Sequence, residues 1–412
     1  GAPLKFHTYS PERVEPFCEH FGTCGGCKWQ HFAYEGQLRE KEKLVQDAFR
    51  RLGKVEVETW EPILGAAETR YYRNKLEFGC ANRRWLTQAE IDTEVSNEAD
   101  VIGFHKAGAY DKILDIDHCY LQGGNSNEYR NGMAELAEEF GMPLFDMRER
   151  TGMLRQMVVR TSTLGQSMVI LAFFADEPVR IQAFLSRVVE RFPDLTNLIY
   201  CINHKLNEFL MDLDMHTFHG PGYLEEQLGE VRFRIGPKSF FQTNTRQGEE
   251  LYRIAADFAG LTGKENVYDL YTGIGSIALF VAGQAGHVVG IEEIPEAIED
   301  ARSNAALNRI DNTTFYAGDV KNILTEEFAA RHGRPDVLIT DPPRAGMHPK
   351  VIEMLKQLAA PRLVYVSCNP STQARDLAQL DDTYRIMRVR PVDMFPHTNH
   401  IENVALLELR NL

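Results

Sequence analysis

No run of about eighteen apolar residues occurs in the chain, so no membrane-spanning helix of ordinary length is indicated. A basic leader with an apolar stretch and a small-residue cleavage site is also missing, so export is not expected. There is no internal repeat and no low-complexity segment, which sets aside solenoids, propellers and biased tails. Positive charge is in deficit: 45 Lys and Arg face 59 Asp and Glu, a formal net charge of −14. A uniformly basic surface is thereby excluded, while a local basic face is not. Cysteine is scarce, seven in 412 residues, and three of them crowd into "CEHFGTCGGCKWQH" as C-x5-C-x2-C. Without export, clustered thiols point to a metal rather than to disulfides. These absences lead to the expectation of a cytoplasmic monomer that stays off membranes. The chain opens on Gly1-Ala2-Pro3 rather than methionine, and native residues are expected upstream.

What is present is ordinary for a globular protein: 43% hydrophobic and 25% charged residues, over a length that suits two or three domains. Residues 1–54 read as a loop-rich segment holding the cysteines, followed by a helix. In that helix, "EGQLREKEKLVQDAFRRLG" places Leu38, Leu44, Val45, Ala48, Phe49 and Leu52 at helical spacing and stops at Gly53. Residues 55–235 are mostly short strands and turns, with helices near Asn127–Phe140 and Pro178–Arg191. Residues 236–412 alternate helix and strand, the pattern of a parallel sheet with crossover helices. The expected class is therefore α/β: a C-terminal Rossmann-like domain, a β-rich centre and an N-terminal cysteine segment.

"ENVYDLYTGIGSIALFVA" runs strand, glycine turn, helix, with Gly273 and Gly275 at the turn. A lone G-x-G is weak, but Glu292 ends the next strand about 20 residues on, the spacing of a ribose-binding carboxylate. Asp319 and Asp341 follow later strands. The third glycine of a dinucleotide fingerprint is missing, so an adenosyl ligand without a pyrophosphate fits better. S-adenosylmethionine, cationic at sulfur, suits such an acidic edge.

One strand further, "LVYVSCNPST" ends on Cys368. A strand-end cysteine is more often packing than nucleophile, but this one shares an edge with Asp341. Glu402 then enters the last apolar strand, "NVALLELR", where partial burial would raise its pKa towards that of a useful base. His397 and His400 beside it read as hydrogen-bonding supports. A thiol, a carboxylate and a sulfonium methyl donor suit C5 methylation of uracil. The thiolate adds to C6, C5 gains electron density for the methyl, the base removes the C5 proton, and the thiolate leaves. A target base within a helix would first be extruded.

The ordered set "SFFQTN" (239–244), "DLYTGIGS" (269–276), "DPPR" (341–344), "SCNP" (367–370) and "PHTNHIE" (396–402) resembles the RNA uracil-5-methyltransferase family across nearly the whole chain. The cysteine pattern resembles its iron–sulfur-containing bacterial branch, which modifies 23S ribosomal RNA. The resemblance implies Cys368 as nucleophile and Glu402 as base. It implies Gln242, Tyr271, Ser276, Glu292, Asp319 and Asp341 as contacts to S-adenosyl-L-methionine. Ser276 stands where an asparagine is expected, and Thr272 replaces a cysteine common at that turn. Cys18, Cys24 and Cys27, with Cys119 after 91 intervening residues, match four ligands. Four thiolates fit zinc as well as iron–sulfur by spacing; the resemblance implies a structural [4Fe–4S] cluster. Cys80 and Cys201 read as packing residues.

Basic residues outnumber acids five to one between Arg70 and Arg84, and "RYYRNK" interleaves tyrosines, as a phosphate-binding face would. Arg73 and Lys75 are the expected RNA contacts, and Arg344 serves either substrate or loop. Many relatives carry an N-terminal RNA-binding β-barrel, the TRAM domain, expected here to be absent or removed. The expected substrate is 23S rRNA, with a tRNA uridine as the alternative. An amino-group methyltransferase using "DPPR" leaves Cys368 and Glu402 without a role.

Overall fold

The computed structural model describes residues 8–93, 95–109 and 111–410; the first seven residues, including Gly1-Ala2-Pro3 and the head of the 1–54 segment, lie outside the described residues. Helix Tyr34–Asp47 continues into a π-helical turn, Ala48–Gly53. Gly53 has no left-handed backbone of its own; Lys54 takes that conformation at φ 53°. Glycine is needed for proximity, since a Cβ at residue 53 would lie 2.8 Å from the Ala374 carbonyl oxygen.

The first strand, β1 (Val57–Trp60), pairs in parallel with a strand more than 300 residues later. The middle of the chain forms β2 (Lys75–Ala81), β3 (Val101–His105), β4 (Ile113–Leu114), β5 (Leu154–Thr161), β6 (Ser167–Phe173), β7 (Asn197–Ile202) and β8 (His216–His219). They make one sheet in the order β4-β3-β2-β5-β6-β7-β8. Only β6 and β7 are parallel, because helix Pro178–Arg191 carries the chain back between them. That helix and helix Ser126–Phe140 cover the sheet with Met133, Leu136, Phe184 and Val188, in one core with Leu154 and Leu171.

A hairpin follows, β9 (Leu224–Leu228) and β10 (Val231–Ile235). Then come β11 (Asn266–Leu270), β12 (His287–Glu292), β13 (Thr313–Ala317), β14 (Val337–Thr340), β15 (Arg362–Ser367), β16 (Tyr384–Val392) and β17 (Glu402–Leu409). With β1 they form an eight-stranded sheet in the order β1-β16-β17-β15-β14-β11-β12-β13. The central strands are parallel and buried on both faces, which is why they read as continuous apolar runs. Side chains alternate between the two cores: Val364 and Val366 point to one face, Leu363 and Tyr365 to the other. β17 is antiparallel to both neighbours.

The sheet differs from the sequence-based segments at both junctions. β1, expected in the β-rich centre, is the edge strand of the C-terminal sheet. Val45 and Phe49, expected in a separate N-terminal segment, lie fully buried in that sheet's core. Leu228, Phe233 and Ile235 of the hairpin belong to its other face. The apolar surface of each short piece is too small to fold alone, so each joins the large sheet.

Candidate active site

The carboxyl ends of β13, β12, β11, β14 and β15 share one edge of the sheet, and the antiparallel β17 begins there. Beyond β11, Tyr271 takes a left-handed backbone at φ 66°, held by N–H donation to the Ile291 carbonyl at 2.9 Å. Gly273 follows at φ 56°, and a Cβ there would meet nothing within 4 Å, leaving a surface a ligand could approach. Gly275, at φ 81°, caps helix Ser276–Ala282. Glu292 ends β12 and folds back, accepting the Gly273 N–H at 3.1 Å and the Ile294 N–H at 3.1 Å. Asp319 starts a short helix and pairs with Lys321 at 2.5 Å. Asp341 follows β14; among the described residues its carboxylate accepts no hydrogen bond, and burial, then the Asp269 charge, push its pKa up to about 7. Gln242 is buried, and its carbonyl accepts from Asn74 at 2.8 Å.

These six residues therefore line one sheet edge with an open glycine turn, carboxylates and one carboxylate without a partner. The donor set fits an adenosyl sulfonium ligand: hydroxyl-binding acids at strand ends and unneutralised negative charge nearby. Tyr252 escaped the sequence reading. Its buried hydroxyl lies among Gln242, Ser276 and Asp341, yet on helix Thr245–Ala259 it looks like any core aromatic. Asp269, buried and raised to about 7 by burial, accepts from Thr272 at 2.5 Å, so the threonine at that turn braces it.

Ser367 at the end of β15 pairs with Asn403 of β17. Continuing that register by one residue sets Cys368 opposite Glu402, and directly opposite residues in antiparallel strands lie about 4.5–5.5 Å apart at Cα. Behind Cys368, Asn369 caps helix Pro370–Leu380 by accepting the Ser371 N–H at 3.1 Å. The positive end of that helix favours a thiolate. Burial nevertheless raises the Cys368 thiol to about 11, helped by Glu402 and Asp341 and opposed by a hydrogen bond from Arg344. Glu402 is buried and stands well above the ordinary carboxylate range, first through burial, then through Asp341. Arg344 Nη2 also donates to His400 Nδ1 at 2.8 Å, while Asn369 Nδ2 holds the Arg344 carbonyl at 3.0 Å.

The segment before β17 is bound on every side. Asp393 accepts from Lys41 Nζ at 2.6 Å and from the Tyr34 hydroxyl at 2.9 Å. The Met394 carbonyl accepts from Asn244 Nδ2 at 3.0 Å and that of Pro396 from the Tyr72 hydroxyl at 2.9 Å. His397, at φ 64°, exchanges hydrogen bonds with Gln37, and burial lowers its pKa to about 4. Its carbonyl receives the Lys28 and Trp29 N–H groups, both at 2.9 Å.

Lys28 adjoins the thiol cluster. Cys18, Cys24, Cys27 and Cys119 line one pocket with Phe21, Phe104, Ile116 and Leu121. None of the described cysteines forms a disulfide. The Gly26 N–H donates to Cys24 Sγ at 3.4 Å; burial raises the pKa of all four thiols, and neighbouring N–H donors pull each of them back towards the thiolate. Such donors stabilise thiolate ligands, so the set fits a four-coordinate metal or cluster. Cys80 and Cys201 are buried in the sheets. Of the expected RNA contacts, Arg73 lies over the Phe395 ring at 5.1 Å, whereas Lys75 pairs with Glu77 at 2.6 Å. Arg344 is drawn into the Cys368 site.

A family model described as tRNA (Uracil-5-)-methyltransferase matches residues 222–410. The chain is 52% identical over 411 residues to an "Uncharacterized RNA methyltransferase" of Bacteroides thetaiotaomicron, covering 99% of this chain and 90% of that one. It is 54% identical over 415 residues to a protein of the same description from Porphyromonas gingivalis, covering 99% and 89%. A solved structure of Pyrococcus abyssi tRNA (uracil-54, C5)-methyltransferase with S-adenosyl-L-homocysteine superposes with a TM-score of 0.76 at 29% identity, covering 98% of this chain and 88% of that one.

Proposed function

The chain belongs to the S-adenosylmethionine-dependent RNA uracil-5-methyltransferase family, and from that membership we propose that it methylates C5 of one uridine in 23S ribosomal RNA. The observation that carries the chemistry is the Ser367–Asn403 pairing, whose continuation by one residue sets Cys368 opposite Glu402 at the mouth of the sheet. Cys368 adds to C6 of the extruded uracil, which places electron density on C5. Glu402 accepts the C5 proton after alkylation, and the C6–sulfur bond breaks to restore the ring. S-adenosylmethionine, when bound, supplies an electrophilic methyl on a cationic sulfonium. Gln242, Tyr271, Ser276, Glu292, Asp319 and Asp341 would hold it. Burial holds the Glu402 pKa well above the ordinary carboxylate range, and any cation brought beside Asp341 favours its ionised, proton-accepting form.

Cys18, Cys24, Cys27 and Cys119 would hold a [4Fe–4S] cluster with a structural role. The resemblance of this motif to the bacterial 23S branch favours ribosomal RNA. The structural neighbour from Pyrococcus abyssi, named for uracil-54 of tRNA, favours the second reading, a tRNA uridine. Arg73, over the Phe395 ring of the segment that leads to Glu402, would contact the RNA backbone; Lys75 would have to leave Glu77 to do so.

The deciding experiment gives purified protein and S-adenosylmethionine either unmodified 23S rRNA or unmodified tRNA, then maps any 5-methyluridine. Methylation of tRNA alone moves the assignment to the second reading, and methylation of neither sinks both. Cys368→Ala should abolish transfer. A brown protein with a broad visible absorption band supports iron–sulfur over zinc.

A further inference from the structure

The site holds a second arrangement that the reaction as described leaves without a role. Cys368 must ionise while Glu402 and Asp341 press negative charge on it. The cation that opposes them is Arg344, whose charge and hydrogen bonding lower the Cys368 pKa. Its backbone is fixed from helix Pro370–Leu380, through Asn369 Nδ2 at 3.0 Å and the Thr372 hydroxyl at 3.2 Å, both on the Arg344 carbonyl. Its guanidinium is fixed from the opposite side by His400 Nδ1 at 2.8 Å. Guanidinium has donors only, so Nδ1 must carry the lone pair and His400 must be neutral.

We propose that His400 is a positioning residue: its neutral imidazole accepts a hydrogen bond from Arg344 and so holds that guanidinium on the Cys368 sulfur, where it stabilises the thiolate. The inference deepens the uracil-methylating reading and rests on it. The surroundings of His400 favour the neutral ring. Burial, then the charges of Arg344, Arg73, Lys28 and Lys41, lower its pKa. Thr398 Oγ1 accepts the His400 N–H at 3.2 Å, and the Phe395 ring stands edge-on at 6.3 Å. Protonating His400 would turn an acceptor into a fifth cation and release Arg344 from the sulfur.

The test reads the thiol directly, with no RNA present. Whole protein is alkylated with iodoacetamide across a pH series, and the Cys368 peptide is resolved from the other six cysteines by mass spectrometry. His400→Ala should move the inflection for Cys368 to higher pH and slow its alkylation at pH 8 about tenfold, one pKa unit or more for a charge-assisted hydrogen bond. Arg344→Ala should do at least as much. His400→Gln keeps a neutral acceptor and should restore most of the wild-type profile. The inference falls if His400→Ala alkylates with the wild-type profile, or if His400→Gln is no better than Ala. It falls separately from the proposed function, which is lost instead if Cys368→Ala still methylates RNA.

Discussion

Glu402 shows what the site costs at the scale of one residue. A carboxyl buried beside Asp341 holds its proton far above the ordinary range. Asp341 and Asp269 titrate at about 7 for the same reason. The sign of the linkage follows. The folded chain binds protons that the unfolded chain has already released, so the stability these acids contribute is complete only below the unfolded carboxylate pKa and is lost as pH rises through their folded values. Glu402→Gln should therefore raise the melting temperature at pH 8 by about 2 °C or more. The gap should narrow as the pH falls and close only below the ordinary carboxylate pKa of about 4, where folded and unfolded chains both carry the proton; an equal gain at acid and alkaline pH would mean that packing, not charge, is responsible. The same variant should trap a covalent protein–RNA adduct, seen as a shifted band on a denaturing gel, since elimination needs the C5 proton gone. Methylation by the wild type should rise from neutral into alkaline pH, because Cys368 and Glu402 both lose protons late.

At the scale of elements, helix Tyr34–Asp47 is the brace for the segment that delivers Glu402. Lys41 reaches Asp393 with both side chains fully buried. Removing one partner of such a pair leaves an uncompensated charge and costs about 3–5 kcal/mol. Lys41→Met should thus lower stability by that order and reduce turnover, although Lys41 touches no reacting atom. Lys41→Met with Asp393→Asn should recover much of the stability, and a purely additive double mutant in thermal denaturation would refute the coupling. This brace also marks where sequence reasoning runs out. Strand ends bearing Asp341 and Cys368 were legible because apolar runs stop at a polar residue and a proline turn. The helix with Val45 and Phe49 was legible from its 3.6-residue period. Its partner was not, since periodicity reports that a face is buried and never against what. Lys41 and Asp393 are more than 350 residues apart, and each alone reads as a solvated charge. Tyr252 was hidden for the converse reason, its hydroxyl buried on an otherwise apolar face. The left-handed Tyr271 and His397 carry no local signal either, because tertiary contacts impose their backbone.

At the scale of the whole molecule, four thiols join parts that the chain keeps far apart. Cys119 comes with the central sheet, and the other three sit on the loop whose Lys28 and Trp29 N–H groups hold the His397 carbonyl. Cys119→Ser should therefore speed amide hydrogen exchange at residues 15–31 and also at residues 395–400. Exchange confined to the first segment would show that the loop holds the second without the thiols. The larger sheet has its own long-range dependence. The family match begins at residue 222, yet β1 and the buried Phe49 lie before it. A dissected fragment starting at that homology boundary would lose an edge strand and uncover β16. Bare edges of this kind recruit other chains, so such a fragment should come out as aggregates. Supplying residues 30–66 as a separate polypeptide should rescue its solubility, because the segment that the family model matches and the unit of folding here have different ends.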